Sequence, residues 1–247
     1  MSDKLPWVFL PGWGMPASCL EGLKAALYPW PVKLLDWPRD EAIWKAVLAG
    51  DREPLYAALH AQHPQAALWG GWSLGALVMS QLASHPNYQA SCKGLVSLGM
   101  GPGFLASQDQ SWGLRAAELR VFARRFKRNP SAGWKHFVNW QAQGDYDASH
   151  WTQRLEEQNT WSLTALEAGL DLLAQLQSWS LLKAPRRPWL LVRGAADPLC
   201  PDWSPLISQY QDELLHWETL AGAGHLLPMT QSHALAELLQ NWAEQPS

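Results

Sequence analysis

Three side chains far apart in this 247-residue sequence are of the types that together transfer an acyl group. Ser73 stands in Gly71-Trp-Ser-Leu-Gly75, Asp197 in Gly194-Ala-Ala-Asp-Pro198 and His225 in Ala221-Gly-Ala-Gly-His225. A serine hydroxyl is a poor nucleophile until a base takes its proton, and an imidazole serves best when a carboxylate fixes its tautomer. The G-x-S-x-G pattern arises by chance too readily to carry weight by itself. Its place carries it, because it follows an apolar run at 66–69 and opens a helix-length segment at 74–85. A serine on such a turn takes strained backbone angles, and small residues two before and two after let neighbouring backbone pass close by. Its hydroxyl is then exposed at a helix N-terminus, which favours developing negative charge. The plainer alternative is a glycine-rich turn with Ser73 as a capping residue.

The order Ser, Asp, His suits a nucleophile on a strand-to-helix turn. His225 is the histidine of choice because its small-residue loop directly follows the last expected strand. His60 and His63 end a helix one turn apart with no third ligand near in sequence, so no metal site is expected. His85 precedes Pro86, and His136, His150 and His233 fall on helical segments. Asp197 also directly follows a strand; its plainer role would be an Asx turn before Pro198. Acyl transfer further needs donors for an oxyanion. The N–H of Leu74 after the nucleophile is one candidate, and the N–H of Trp13 in Pro11-Gly-Trp-Gly14 is the other.

These residues need a scaffold that returns distant loops to one edge. Short apolar runs at 7–10, 32–35, 66–69, 93–98, 189–192 and 214–220 each end at glycine or a turn residue and read as buried strands. Helix candidates lie at about 17–28, 54–63, 74–85, 203–210 and 231–243. The alternation implies an α/β fold, a mostly parallel sheet with helices on both faces. It breaks at 101–185, where 108–127, 131–143, 148–158 and 162–178 all read as helices after the Gly101-Pro-Gly103 turn. The expected organisation is a core of 1–100 and 186–247 with a helical cap of 101–185 inserted.

Composition limits the partners. Lys plus Arg is 19 and Asp plus Glu 22, a net charge of −3 that gives no global attraction for nucleic acid or anionic lipid. Three scattered cysteines without a Cys-x-x-Cys argue against a disulfide framework or a zinc knuckle and for a reducing compartment. The apolar run at 7–10 is too short for a signal h-region and no stretch approaches a membrane span, so a cytoplasmic protein is expected. A monomer is expected. Tryptophan is abundant, 17 against 5 Phe and 5 Tyr, and most of these indoles are expected to fill the core.

Over nearly its whole length the chain resembles the α/β-hydrolase superfamily, and within it the biotin-synthesis esterase family. The resemblance rests on Leu10-Pro-Gly-Trp-Gly14, Gly71-Trp-Ser-Leu-Gly75, Gly194-Ala-Ala-Asp-Pro198 and Gly222-Ala-Gly-His225, with a four-helix insertion between. It departs where Pro11 replaces the histidine common before the oxyanion glycine, so other hydrogen bonds must fix that loop, and the superfamily's leading hairpin is not expected. The resemblance implies a serine esterase acting on the methyl ester of pimeloyl-acyl carrier protein with no cofactor, and Trp13, Trp72 and Phe137 are expected as walls for the acyl chain. Arg120, Arg124 and Arg128 recur at helical spacing and could receive an acidic carrier protein; the plainer reading is a solvated face beside Leu119, Phe122 and Phe126. A general short-chain carboxylesterase, an acyltransferase and an inactive hydrolase fold used as a binding module remain open alternatives.

Overall fold

The computed structural model describes residues 4–106, 113–158, 161–210 and 212–245. Six strands form one sheet: β1 (Trp7–Leu10), β2 (Val32–Leu34), β3 (Ala67–Trp72), β4 (Cys92–Leu98), β5 (Trp189–Gly194) and β6 (Leu215–Leu220), in the order β2-β1-β3-β4-β5-β6. Every neighbouring pair is parallel. All residues of β1 and β3 are buried, and only Lys93 of β4 is exposed. Because side chains alternate across a strand, this burial means that both faces of the sheet are covered. The two edge strands carry the polar residues Lys33, His216, Glu218 and Thr219, which suits strands paired on one side only.

The helices are α1 (Glu21–Ala26), α2 (Glu41–Leu48), α3 (Glu53–His60), α4 (Leu74–Ser84), α5 (Ala116–Arg128), α6 (Pro130–Ala142), α7 (Ala148–Glu156), α8 (Leu163–Gln175), α9 (Trp179–Lys183), α10 (Ser204–Ile207), α11 (Leu227–Thr230) and α12 (Ser232–Ala243). Local chemistry sets many of their starts. Asp40 accepts the Ala42 N–H ahead of α2, Asn129 accepts the Ala132 N–H with Pro130 in the first turn of α6, and Ser162 accepts the Ala165 N–H ahead of α8. Helix α2 is not among the helices expected from the sequence.

Other boundaries shift for physical reasons. The helix expected at 17–28 is a 3-10 turn, Ala17–Leu20, followed by α1, which stops ahead of Pro29. Strand β3 runs on through Gly70 and Gly71 because Gly70, Gly71 and Trp72 pair with Val96, Ser97 and Leu98, so tertiary pairing overrides the poor strand propensity of glycine. The helix expected at 203–210 is a single turn, α10. The helix expected from 108 begins at Ala116, and residues 108–112 of that expectation lie outside the described residues.

Between β4 and β5 the described residues form only helices α5–α9 and two isolated bridges, Gly103 with Gln177 and Leu105 with Leu114. Helix α5 buries Leu119, Phe122 and Phe126 and leaves its arginines exposed. Indoles do fill the interior: Trp7, Trp13, Trp72, Trp189 and Trp203 are among the largest wholly buried side chains. Among the described residues, no helix is long and apolar enough to cross a membrane.

Candidate active site

The chain leaves β1 towards β2 on one side and enters β3 and β4 on the other, so the strand order reverses between β1 and β3. In open parallel sheets this reversal leaves a crevice at the carboxyl ends of the strands. Ser73 caps β3 at that edge. Its φ of 55° and ψ of −122° lie where side chains rarely go, and its N–H donates to Leu98 O at 2.9 Å. Such strain costs on the order of 1–3 kcal/mol and persists only where surrounding contacts impose it. Here they do: a Cβ on Gly71 would sit 2.3 Å from Gly75 C, and one on Gly75 would sit 2.2 Å from Leu10 O. The two glycines let α4 start directly against β3 and against the loop after β1. Ser73 makes no side-chain capping bond to α4, so its hydroxyl is not used up as a cap.

Asp197 follows β5 and His225 follows β6, and the structure brings them together. His225 Nδ1 lies 3.0 Å from Asp197 Oδ1 and 2.9 Å from Oδ2. Asp197 Oδ1 also accepts the N–H groups of Leu199 and Cys200, at 2.8 and 2.9 Å. The turn-forming role and the histidine-holding role of Asp197 therefore coexist. The other imidazole nitrogen, His225 Nε2, is buried and makes no hydrogen bond. The ring is wholly buried, and Ser73 is 6% exposed. Serine–histidine contacts commonly tighten only when substrate is bound. Burial, reinforced by the charge of Asp197, pushes the neighbouring Cys200 thiol well above its usual range. It therefore stays protonated and weakly nucleophilic near neutral pH.

The loop after β1 is fixed by indoles. Trp37 Nε1 donates to Pro11 O at 3.2 Å and Trp13 Nε1 to Leu166 O at 2.9 Å, and these bonds hold the loop at Pro11 and Trp13. No backbone carbonyl among the described residues takes up the N–H of Trp13 or of Leu74. The three expected wall residues divide. Trp13 and Phe137 meet edge to face at 4.8 Å, with Phe122, Phe126 and Trp134 also around the Trp13 ring. Trp72 is wholly buried beside His225 instead, its ring 5.7 Å from the imidazole.

The arginines divide too. A groove of about 1000 Å³ between α5 and α6 is lined by Arg115, Arg125 and Arg128 together with Val121, Phe122 and Trp140. Arg120 and Arg124 are exposed but lie outside that lining.

Asp145 is not among the site residues expected from the sequence. It lies between α6 and α7, 8% exposed, and its carboxylate accepts the N–H groups of Gly224 and Leu226, each at 2.8 Å. Gly144-Asp145 lies between two expected helices, and nothing local points to a partner about 80 residues away.

The chain matches the alpha/beta hydrolase family over residues 7–238. It is 34% identical over 216 residues to a pimeloyl-[acyl-carrier protein] methyl ester esterase from Aeromonas hydrophila, covering 82% of this chain and 81% of that one. It is 28% identical over 247 residues to the protein of the same name from Shewanella oneidensis, covering 96% of this chain and 90% of that one. Among solved structures, a bromoperoxidase from Bacillus anthracis aligns with a TM-score of 0.83 at 16% identity, covering 99% and 93% of the two chains, which speaks to the fold alone. With the six-stranded parallel sheet and the strained serine turn at its carboxyl edge, these matches establish that the chain belongs to the alpha/beta hydrolase family.

Proposed function

We propose that this chain is a serine carboxylesterase that hydrolyses the methyl ester of pimeloyl-acyl carrier protein in biotin synthesis. That it is a carboxylic ester hydrolase follows from its family and its esterase relatives. The finer assignment is supported above all by relatives of that name at up to 34% identity over most of the chain, whose activity the Asp197–His225 pair and the uncapped Ser73 hydroxyl could perform.

In this reading Ser73 Oγ attacks the ester carbonyl while His225 Nε2 takes its proton. The oxyanion is met by the N–H groups of Trp13 and Leu74, donors already in place before charge develops. Collapse breaks the bond to the methoxy group, which leaves as methanol with the proton from His225. Water then gives a proton to His225 and its oxygen to the acyl carbon; the second collapse frees the carboxylic acid and returns the proton to Ser73 Oγ. Asp197 keeps Nδ1 protonated and offsets the imidazolium charge.

Residues 101–185 act as a cap over a core of 1–100 and 186–247. Trp13 and Phe137 wall the acyl chain, with Trp72 behind the histidine. The carrier protein docks on the exposed Arg120, Arg124 and Arg128 of α5, and the enzyme works as a cytoplasmic monomer. The test compares turnover of carrier-linked and free pimelate methyl esters and asks whether the gene restores growth to a biotin-requiring, esterase-deleted host. Rescue with preference for the carrier-linked ester supports the proposal. Equal turnover without rescue would leave a general short-chain carboxylesterase.

A further inference from the structure

The loop carrying His225 is held on both sides of the histidine by one carboxylate from outside the sheet. Asp145 Oδ1 accepts the Gly224 N–H at 2.8 Å and the Thr230 hydroxyl at 2.8 Å, while Oδ2 accepts the Leu226 N–H at 2.8 Å. Among the described residues no cation pairs with it. A carboxylate so nearly buried is costly to desolvate, and three directed donors offset that cost only in one geometry. The fit is close, since a Cβ on Gly224 would lie 2.4 Å from Asp145 Oδ2. The preceding Gly144, at φ +86°, presses on the turn leading into Asp197: a Cβ there would lie 2.2 Å from Ala196 O. One short turn between α6 and α7 thus contacts the loops that carry both partners of the Asp197–His225 hydrogen bond.

We propose that Asp145 is a positioning residue for His225, fixing the backbone at Gly224 and Leu226 so that Nδ1 faces Asp197 and Nε2 faces Ser73. This rests on the reading of His225 as the general base. A carboxylate accepts from both backbone donors, whereas an amide offers a single acceptor oxygen and sets its own N–H groups against one of them. Removing one or both anchors lets the imidazole drift without removing any group that touches substrate. Misplacement of this kind lowers kcat and leaves KM nearly unchanged.

The test is a graded series in the full-length protein with a small methyl ester as substrate. Asp145→Asn should lose roughly tenfold in kcat and Asp145→Ala on the order of 10²-fold, with KM within about twofold of the parent. Thr230→Val, which removes only the hydroxyl donor, should show a smaller loss in the same direction and keeps the test open if Asp145→Ala fails to fold. Asp147→Asn, at the cap of α7 and away from the loop, should match the parent. The far-downfield proton resonance of the His225 Nδ1–Asp197 bond should shift or broaden in folded Asp145→Asn. A kcat within twofold of the parent in folded Asp145→Asn and Asp145→Ala, with that resonance unmoved, would overturn the proposal. So would a loss confined to KM and melting temperature, which would make Asp145 a fastener of helices only. His225→Ala separates the two levels: parent-like activity there would sink the general-base reading itself, whereas an inactive His225→Ala beside fully active Asp145 variants would sink only this inference.

Discussion

The indole N–H of Trp72 donates to the carbonyl of His225 at 2.8 Å, so the residue before Ser73 in the chain holds the backbone of a residue 153 positions later. The serine turn and the loop carrying His225 are therefore tied by a buried hydrogen bond. Trp72 ends β3 in register with Leu98 of β4, so this tie is anchored in the centre of the sheet.

Trp72→Phe keeps an aromatic ring but leaves the His225 carbonyl without this buried donor. An unmet buried acceptor costs about 1–3 kcal/mol, and the His225 loop should loosen with it. Denaturant unfolding should show that loss, and kcat should fall more than KM rises. Parent-like stability and turnover would mean that the bond is replaced without cost.

Ser73→Ala should abolish nearly all ester hydrolysis, since binding and oxyanion donors cannot replace the nucleophile. Ser73→Gly should be equally inactive yet more stable than Ser73→Ala by on the order of 1 kcal/mol, because glycine takes φ 55° without strain. Activity of Ser73→Ala within about tenfold of the parent would reject Ser73 as the nucleophile.

Asp197→Asn should retain substrate binding but lower turnover by roughly 10⁴-fold through the wrong imidazole tautomer. Steady-state kinetics together with fluorophosphonate labelling of Ser73 measure it. If labelling stays as fast as in the parent, the carboxylate has been misplaced.

Changing Arg120, Arg124 and Arg128 together to Glu should raise KM several-fold for a carrier-linked ester and leave a small uncharged ester unaffected, because the field acts on encounter. The parent's preference should also weaken towards physiological salt, where the Debye length is about 8 Å. Equal damage to both substrates would point to a distorted α5. No effect on either would return the three arginines to a solvated face.

Burial pushes the Cys19 thiol up to about 12 and the Cys92 thiol up to about 11, and Cys200 rises well above its ordinary value. Thiolate is the reactive form, so at pH 8 native protein should react with iodoacetamide far more slowly than unfolded protein, where thiols return to about 8.5. Mass spectrometry of labelled peptides resolves the three sites. Rapid labelling of Cys200 in the native state would show that the loop after β5 opens readily.

The strands were legible because a parallel sheet buried on both faces leaves continuous apolar runs, and each run ends where a loop must turn. Ser73, Asp197 and His225, the residues of the proposed triad, stand out for the same reason, since each lies four or five residues beyond such a run. Helix α2 was missed although Asp40 ahead of an apolar pattern was a readable N-cap signal. The helix expected from 108 does not include residues 113–115, because Leu114 bridges Leu105 there instead of entering the helix. Asp145 left no trace because its partners lie 79 to 85 positions away and two of the three are backbone N–H groups, which carry no residue identity. Trp72 was legible as an aromatic residue beside the serine, but the direction of its N–H is set by the loop that packs on it.

Trp13 lies on the loop after β1, but its ring is enclosed by Phe122 and Phe126 of α5 and Trp134 and Phe137 of α6, and its indole N–H donates to Leu166 O of α8. If α5–α8 form the proposed cap, they therefore cannot be exchanged as an independent specificity module. A graft that suits a new acyl chain but fails to recreate this aromatic socket would release the loop after β1 and lower turnover for every ester, old and new alike. Redesign of substrate preference has room on surfaces of α5–α8 that do not face Trp13, whereas the socket itself changes only together with Pro11–Gly14.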